Sequence, residues 1–131
     1  ARIAGIYEGN RLLRFLSISV DPEYDNSEVL KEYSQAYIKE NAKWDFLTGD
    51  RELIYSLAKE DFFVDALRDT TREANFLHSP MLILVDPQQR IRGYYDSTGN
   101  HEQMNLLIDE IKVLIAEELR SIKDIEINHE R

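Results

Sequence analysis

The 131-residue chain holds three histidines and no cysteine, and that combination bounds the chemistry its side chains can do. Without a thiol there is no disulfide, no thiolate metal ligand and no sulfur nucleophile. An imidazole titrates near neutrality and accepts several metals, so His78, His101 and His129 are the candidate ligands or proton carriers. They form no shared motif. One turn after His101 stands Asn105, and His129 lies two residues before the last, so both read as solvent-facing. His78 stands apart, because Ser79-Pro80 and then the most apolar run of the chain, Met81-Leu82-Ile83-Leu84-Val85, follow it directly.

The carboxylates and hydroxyls are less suggestive. Asp21, Glu23 and Asp25 alternate as in a calcium loop, but the glycine such a loop needs at its turn is absent. Asp65 and Asp69 fall in Asp65 to Asn75, a stretch with no apolar period that reads as an exposed loop able to attract a cation or dock a partner. Ser17 and Ser19 lie within a strand and lack the Gly-x-Ser-x-Gly elbow of a hydrolase. No catalytic constellation emerges, and the chain is not expected to be an enzyme.

The elements that must position these residues follow from periodicity. Ile3, Ile6 and Tyr7 at helical spacing before Gly9-Asn10 read as the last turns of a helix. Arg14 to Val20 alternates as a strand and stops at Asp21-Pro22. Asp25 and Glu28 form a capping-box-like pair for a helix from Ser27 to Asn41 that carries Val29, Leu30, Tyr33 and Tyr37 on one face. Trp44 to Leu47 is a short strand, and Asp50 caps a helix whose apolar face is Leu53, Ile54, Leu57 and Ala58. Phe62 to Val64 reads as an edge segment. Met81 to Val85 is a buried strand that turns through Asp86-Pro87-Gln88-Gln89 into an alternating strand ending at Tyr95. Asn100 with Gln103 then opens a long amphipathic helix on Met104, Leu107, Ile108, Ile111, Leu114 and Ile115, with Leu119 or Ile122 as the continuation of the stripe, and the tail after Ser121 either extends it or reaches a partner. Alternating β and α units closed by a hairpin and a helix predict an α/β, thioredoxin-like three-layer sandwich, with residues 1–131 a single domain.

Composition narrows the partners. Acidic residues outnumber basic ones 25 to 16, for a net charge of −9, and the basic residues are scattered, so nucleic acid is excluded as the expected ligand. The longest apolar run has five residues, far short of the roughly 20 that span a bilayer, and the first residues show no signal sequence. The chain is expected to be soluble.

Three blocks in order, Phe15-Leu16-Ser17-Ile18-Ser19-Val20-Asp21-Pro22-Glu23, Glu28-Val29-Leu30-Lys31-Glu32-Tyr33 and Trp44-Asp45-Phe46-Leu47-Thr48-Gly49, resemble the Sco/SenC family. The likeness continues through His78-Ser79-Pro80-Met81 to Asp86 and Arg90 to Asp96, and so spans roughly residues 3 to 116. The resemblance implies a thioredoxin fold, copper as the metal handled, and a role in cytochrome c oxidase assembly with the oxidase's copper-site subunit as partner. It also implies a periplasmic or membrane-anchored location facing the periplasm. In the family two cysteines of a Cys-x-x-x-Cys loop and one histidine hold the metal, and the resemblance carries the histidine onto His78 alone. The residue before it, often acidic in the family, is Leu77 here, and Pro80 falls where such folds commonly place a cis-proline. A lone imidazole should bind copper weakly, so the cysteine-free chain is expected to lack tight copper binding and dithiol chemistry. The alternatives are a thiol-disulfide oxidoreductase or signalling protein of the same fold, or a cysteine-free protein-binding domain.

Matched to the family, the sequence is expected to lack the N-terminal part of the domain, including the central strand between Arg14 to Val20 and Met81 to Val85. The two flanking strands would then pair directly, or a second copy would pair through an exposed sheet edge to give a homodimer.

Overall fold

The computed structural model describes residues 2–7, 9–38, 43–62, 81–97 and 101–129. Its elements are α1 (Arg2–Ile6), β1 (Phe15–Ile18), α2 (Ser27–Tyr37), β2 (Trp44–Leu47), α3 (Arg51–Ser56) continued by a π-helical turn (Leu57–Asp61), β3 (Met81–Val85), β4 (Ile91–Asp96) and α4 (His101–His129). The chain divides into two compact units, Ala1–His78 and Ser79–Arg131.

In the first unit β1 and β2 run parallel, Phe15 opposite Trp44 and Ile18 opposite Leu47, and α2 is the crossover that parallel strands require. Alternation along the strands sends Phe15, Trp44 and Phe46 to one face. There Trp44 lies 5.3 Å from Phe15 and 5.6 Å from Phe46 between ring centroids, and Tyr33 of α2 meets Phe46 edge-on at 5.8 Å. The Trp44 indole N–H donates to Ser17 Oγ at 2.9 Å, which satisfies the polar atom of the indole. The other face leaves Leu16 and Leu47 exposed.

The start of α2 departs from the expected cap, and that of α3 keeps it. Asn26, not Asp25, caps α2 by accepting from the Val29 N–H at 3.0 Å, while the Asp25 carboxylate accepts a hydrogen bond from the Ser19 hydroxyl at 2.6 Å instead. α2 also stops at Tyr37, short of Asn41. The β-branched Ile38 adopts extended geometry while its N–H closes on Ser34 O at 2.9 Å. Asp50 caps α3 as expected, accepting from the Glu52 N–H at 2.8 Å. Of the anticipated apolar face of α3, Ile54 is buried and Leu53 is exposed. The widening at Leu57, where the Phe62 N–H reaches back five residues to Leu57 O, changes the phase of the helix.

In the second unit β3 and β4 form the expected antiparallel hairpin, Met81 opposite Asp96. The register slips between Leu84 and Val85, so that Leu84 faces Gly93 and Val85 faces Ile91, and Arg92 is the extra residue of a β-bulge. The turn closes through Asp86 N–H to Arg90 O at 3.0 Å, with Gln89 in the left-handed region at φ 64°. α4 packs on β4, and Leu107, Ile108 and Ile111 are buried, as are Tyr95 and Leu84 of the hairpin. Gln103 does not cap its own helix as expected; its Oε1 accepts from the Asp96 N–H at 2.6 Å and ties the first turn of α4 to the end of β4. α4 continues through the tail to His129, which settles whether the residues after Ser121 are helical.

Among the described residues each strand has one hydrogen-bonded neighbour, β1 with β2 and β3 with β4. The expected direct pairing of β1 with β3 is not among these ladders. The Phe62 to Val64 edge segment does not form at Phe62, a bend after the π-turn; its other two residues, and the Asp65 to Asn75 loop, lie outside the described residues.

Candidate functional site

His78, Ser79-Pro80, Asp65 and Asp69 lie outside the described residues. His101 is the first residue of α4 and is solvent-exposed, as its spacing implied, and His129 is the last residue of that helix. Ser17 and Ser19 are both engaged, the first accepting from Trp44 and the second donating to Asp25. The Asp21 to Asp25 stretch is a local turn rather than a cation cage. The Asp25 N–H donates to Asp21 O at 2.8 Å and the Asp21 N–H to Ser19 Oγ at 3.1 Å, so the Asp25 carboxylate is turned inward onto the chain. Arg51 sits beside Tyr55, to whose hydroxyl it donates at 3.3 Å; that bond first, and the Glu23 and Asp21 carboxylates after it, shift its guanidinium further above its ordinary value.

Asp86, which its sequence context assigns only to a turn, is a highly connected polar group among the described residues. Its side chain is 2% exposed. Oδ1 accepts from the Gln88 and Arg90 N–H groups, both at 2.9 Å, and Oδ2 accepts from Arg90 Nε at 2.8 Å and Arg92 Nη1 at 3.4 Å. Burial alone would push this carboxyl up. The Arg90 N–H, its guanidinium and that of Arg92 outweigh burial and hold it below the ordinary carboxylate value. Arg92 Nη2 lies 3.9 Å from Glu117 of α4, so the bulge that places Arg92 here links the hairpin turn to the helix. A cleft of about 200 Å³ lies between them, lined by Arg90, Arg92, Leu114, Glu117 and Ser121 among others. The legible signal is Asp-Pro followed by Arg four residues after the Asp, the signature of a side-chain-closed turn with an ion pair across it.

The donor set can be tested against a metal. Copper(I) favours soft thiolate and thioether ligands; the chain has no cysteine, and its two thioethers, Met81 and Met104, lie on different elements, β3 and α4. Among the described residues no three His, Cys, Asp or Glu side chains come together in a way that could hold a metal ion. The described residues therefore bring together no thiolate, imidazole or carboxylate cluster of the kind that holds a metal.

The SCO1/SenC family model matches residues 4–115. The chain belongs to the SCO1/SenC family. Its relatives include a SCO1 protein homolog of Bacillus subtilis (strain 168), 28% identical over 102 residues, which cover 74% of this chain and 50% of that protein. A SCO2-like protein of Rickettsia prowazekii (strain Madrid E) is 34% identical over 89 residues, covering 66% of this chain and 45% of the relative. A similar solved structure is that of a SCO1/SenC family lipoprotein from Bacillus anthracis str. Ames, with a TM-score of 0.65 and 25% identity over 87% of this chain and 67% of the other. The α/β elements described above are thus those of the thioredoxin-like SCO1/SenC fold. This SCO1/SenC chain spans about half the length of the curated relatives it matches.

Proposed function

We propose that this chain is part of a SCO1/SenC domain that handles copper as cargo for a respiratory oxidase, that His78 supplies one imidazole ligand, and that the two thiolate ligands come from outside residues 1–131. The observation that carries the reading is the family match over residues 4–115, which includes His78 and the strand, Met81–Val85, that begins three residues after it. The chemistry is that of a carrier. An S,S,N donor set holds either oxidation state of copper, since thiolates suit copper(I) and imidazole also accepts copper(II). The chain by itself keeps only the nitrogen donor, so it neither catalyses a reaction nor binds copper tightly. The lipoprotein nature of the Bacillus anthracis neighbour supports action at a membrane surface; a periplasmic face and delivery to the oxidase's copper-site subunit complete the reading.

An anaerobic copper(I) titration against a competing chelator tests this. The 131-residue chain is compared with a longer form carrying an upstream Cys-x-x-x-Cys segment, each with and without His78→Ala. The expected result is tight binding by the longer form only, weakened at least about tenfold by His78→Ala, in line with the loss of one of three ligands. Tight binding by the cysteine-free chain, or a longer form indifferent to His78, refutes the assignment.

A further inference from the structure

The C-terminal half of α4 carries a surface that the SCO1/SenC match does not account for, because the match ends at residue 115 while the helix runs on to His129. At about 1.5 Å per residue, the 29 residues of α4 extend roughly 43 Å, whereas the six residues of β4 at about 3.4 Å each give roughly 20 Å of sheet to pack against. The hairpin turn reaches α4 as far as Glu117 and Ser121, and the helix runs on beyond it to His129. In this C-terminal half Leu119 is 55%, Ile122 38% and Ile125 56% exposed. A run of large aliphatic side chains left in water on a regular helix is unusual enough to call for an occupant.

The stripe is also ordered in its charges. Lys112, Ile115, Leu119, Ile122 and Glu126 follow one another at intervals of three, four, three and four residues, which places all five on one side of the helix. A cation stands at one end, a carboxylate at the other, seven residues either side of the central Leu119. Such a stripe is complementary to itself when reversed. Laid antiparallel on a second copy with Leu119 against Leu119, each Lys112 meets Glu126 of the partner subunit, and the four isoleucines close around the leucines. Laid parallel, lysine meets lysine and glutamate meets glutamate, and like charges held across a helix interface are repelled.

We propose that the chain self-associates as an antiparallel helix pair through Lys112, Ile115, Leu119, Ile122 and Glu126 of α4. The contact involves about four turns of each helix, so it lies at the small end of specific interfaces, below the roughly 800 Å² per partner of a standard one. The association is accordingly weak and concentration-dependent, with dissociation constants in the micromolar range or above rather than nanomolar.

Sedimentation equilibrium of the whole chain between about 5 μM and 500 μM reads the proposal directly, with far-UV circular dichroism confirming that each variant stays folded. Leu119→Glu should leave the chain monomeric throughout. Lys112→Glu and Glu126→Lys, singly, should each weaken association about tenfold, and the two together in one chain should restore it, since the reversed charges are again complementary. A nitroxide at position 112 should lie close to one at position 126 of the partner and far from its own counterpart. A wild-type chain that stays monomeric at every concentration overturns the proposal, and if that monomer partitions onto vesicles of mixed zwitterionic and anionic lipid the stripe serves a membrane instead. Dimerisation that is indifferent to both Leu119→Glu and the charge reversal overturns it equally, by locating the interface elsewhere.

Discussion

Replacing Gly93 by alanine should destabilise the chain, although alanine is ordinarily the better strand residue. Gly93 and Tyr95 alternate onto the same face of β4, and an ideal Cβ on Gly93 would stand 2.5 Å from the Tyr95 hydroxyl oxygen and 2.8 and 2.9 Å from two carbons of its ring. Comfortable carbon contacts lie near 3.5 to 4.0 Å, so the ring must withdraw by about 1 Å. It has little room: Tyr95 is 5% exposed, and Leu107, Ile108 and Ile111 of the helix packed on its strand are buried as well. Overpacking of this kind costs about 1 to 3 kcal/mol. Removing a strand glycine returns about 0.5 to 1 kcal/mol, so the net loss should be about 0.5 to 2 kcal/mol. For a chain of this size that lowers the thermal midpoint by roughly 2 to 10 °C. The assay is unfolding followed by tyrosine near-UV circular dichroism in wild type, Gly93→Ala, Tyr95→Leu and the double variant. With the ring gone, Gly93→Ala should be neutral or stabilising by up to about 1 kcal/mol, giving a coupling between the two positions of about 1 to 3 kcal/mol. A neutral or stabilising Gly93→Ala in the wild-type background, or an equal penalty in both, would refute the reasoning.

Three further outcomes follow from the geometry. The Asp86 carboxyl is held below its ordinary value in the folded chain, so its contribution is fully present above the usual aspartate value of about 3.9 and is lost as pH falls through the depressed folded value. Acid unfolding monitored from about pH 6 to pH 2 should therefore be less steep in Asp86→Asn, which keeps an oxygen for the Gln88 and Arg90 N–H groups but no charge for the arginines; an unchanged slope would count against the network. Ser17→Ala strands the indole N–H of the chain's single tryptophan in a partly buried stack, which should cost about 1 kcal/mol and shift Trp44 fluorescence, read in the same urea titration; an unperturbed spectrum would mean that water replaces the hydroxyl freely. Burial, and after it the Glu110 carboxylate, raises the Tyr95 hydroxyl above the ordinary tyrosine value of about 10, so an ultraviolet titration should contain a late-ionising component that Tyr95→Phe removes.

Much of this molecule was legible in the sequence because the relevant forces are local. Alternation gave β1 and β4, the continuous apolar run gave β3, Asp50 announced the start of α3, and the absence of cysteine excluded a thiolate site within the chain whatever the fold. The family resemblance rested on linear blocks and agrees with the match over residues 4–115. Other features needed partners distant in sequence. Asp25 looked like the cap of α2 until Ser19 took its carboxylate and left the cap to Asn26. Gln103 looked like the closing member of a capping box but was drawn to the Asp96 N–H at the end of β4. Arg92 reads in sequence as an ordinary outward strand residue, and only the bulge opposite Leu84 and Val85 turns it onto Asp86 and towards Glu117. The helical period through Ile115 towards Leu119 and Ile122 was visible in the sequence, but only the structure shows that Leu107, Ile108 and Ile111 are buried while Leu119 and Ile122 stay exposed. Sequence determines which residues can act, because periodicity and side-chain chemistry are properties of the chain; tertiary structure decides which of them are already occupied, because each donor, carboxylate and apolar face satisfies whichever neighbour folding brings to it.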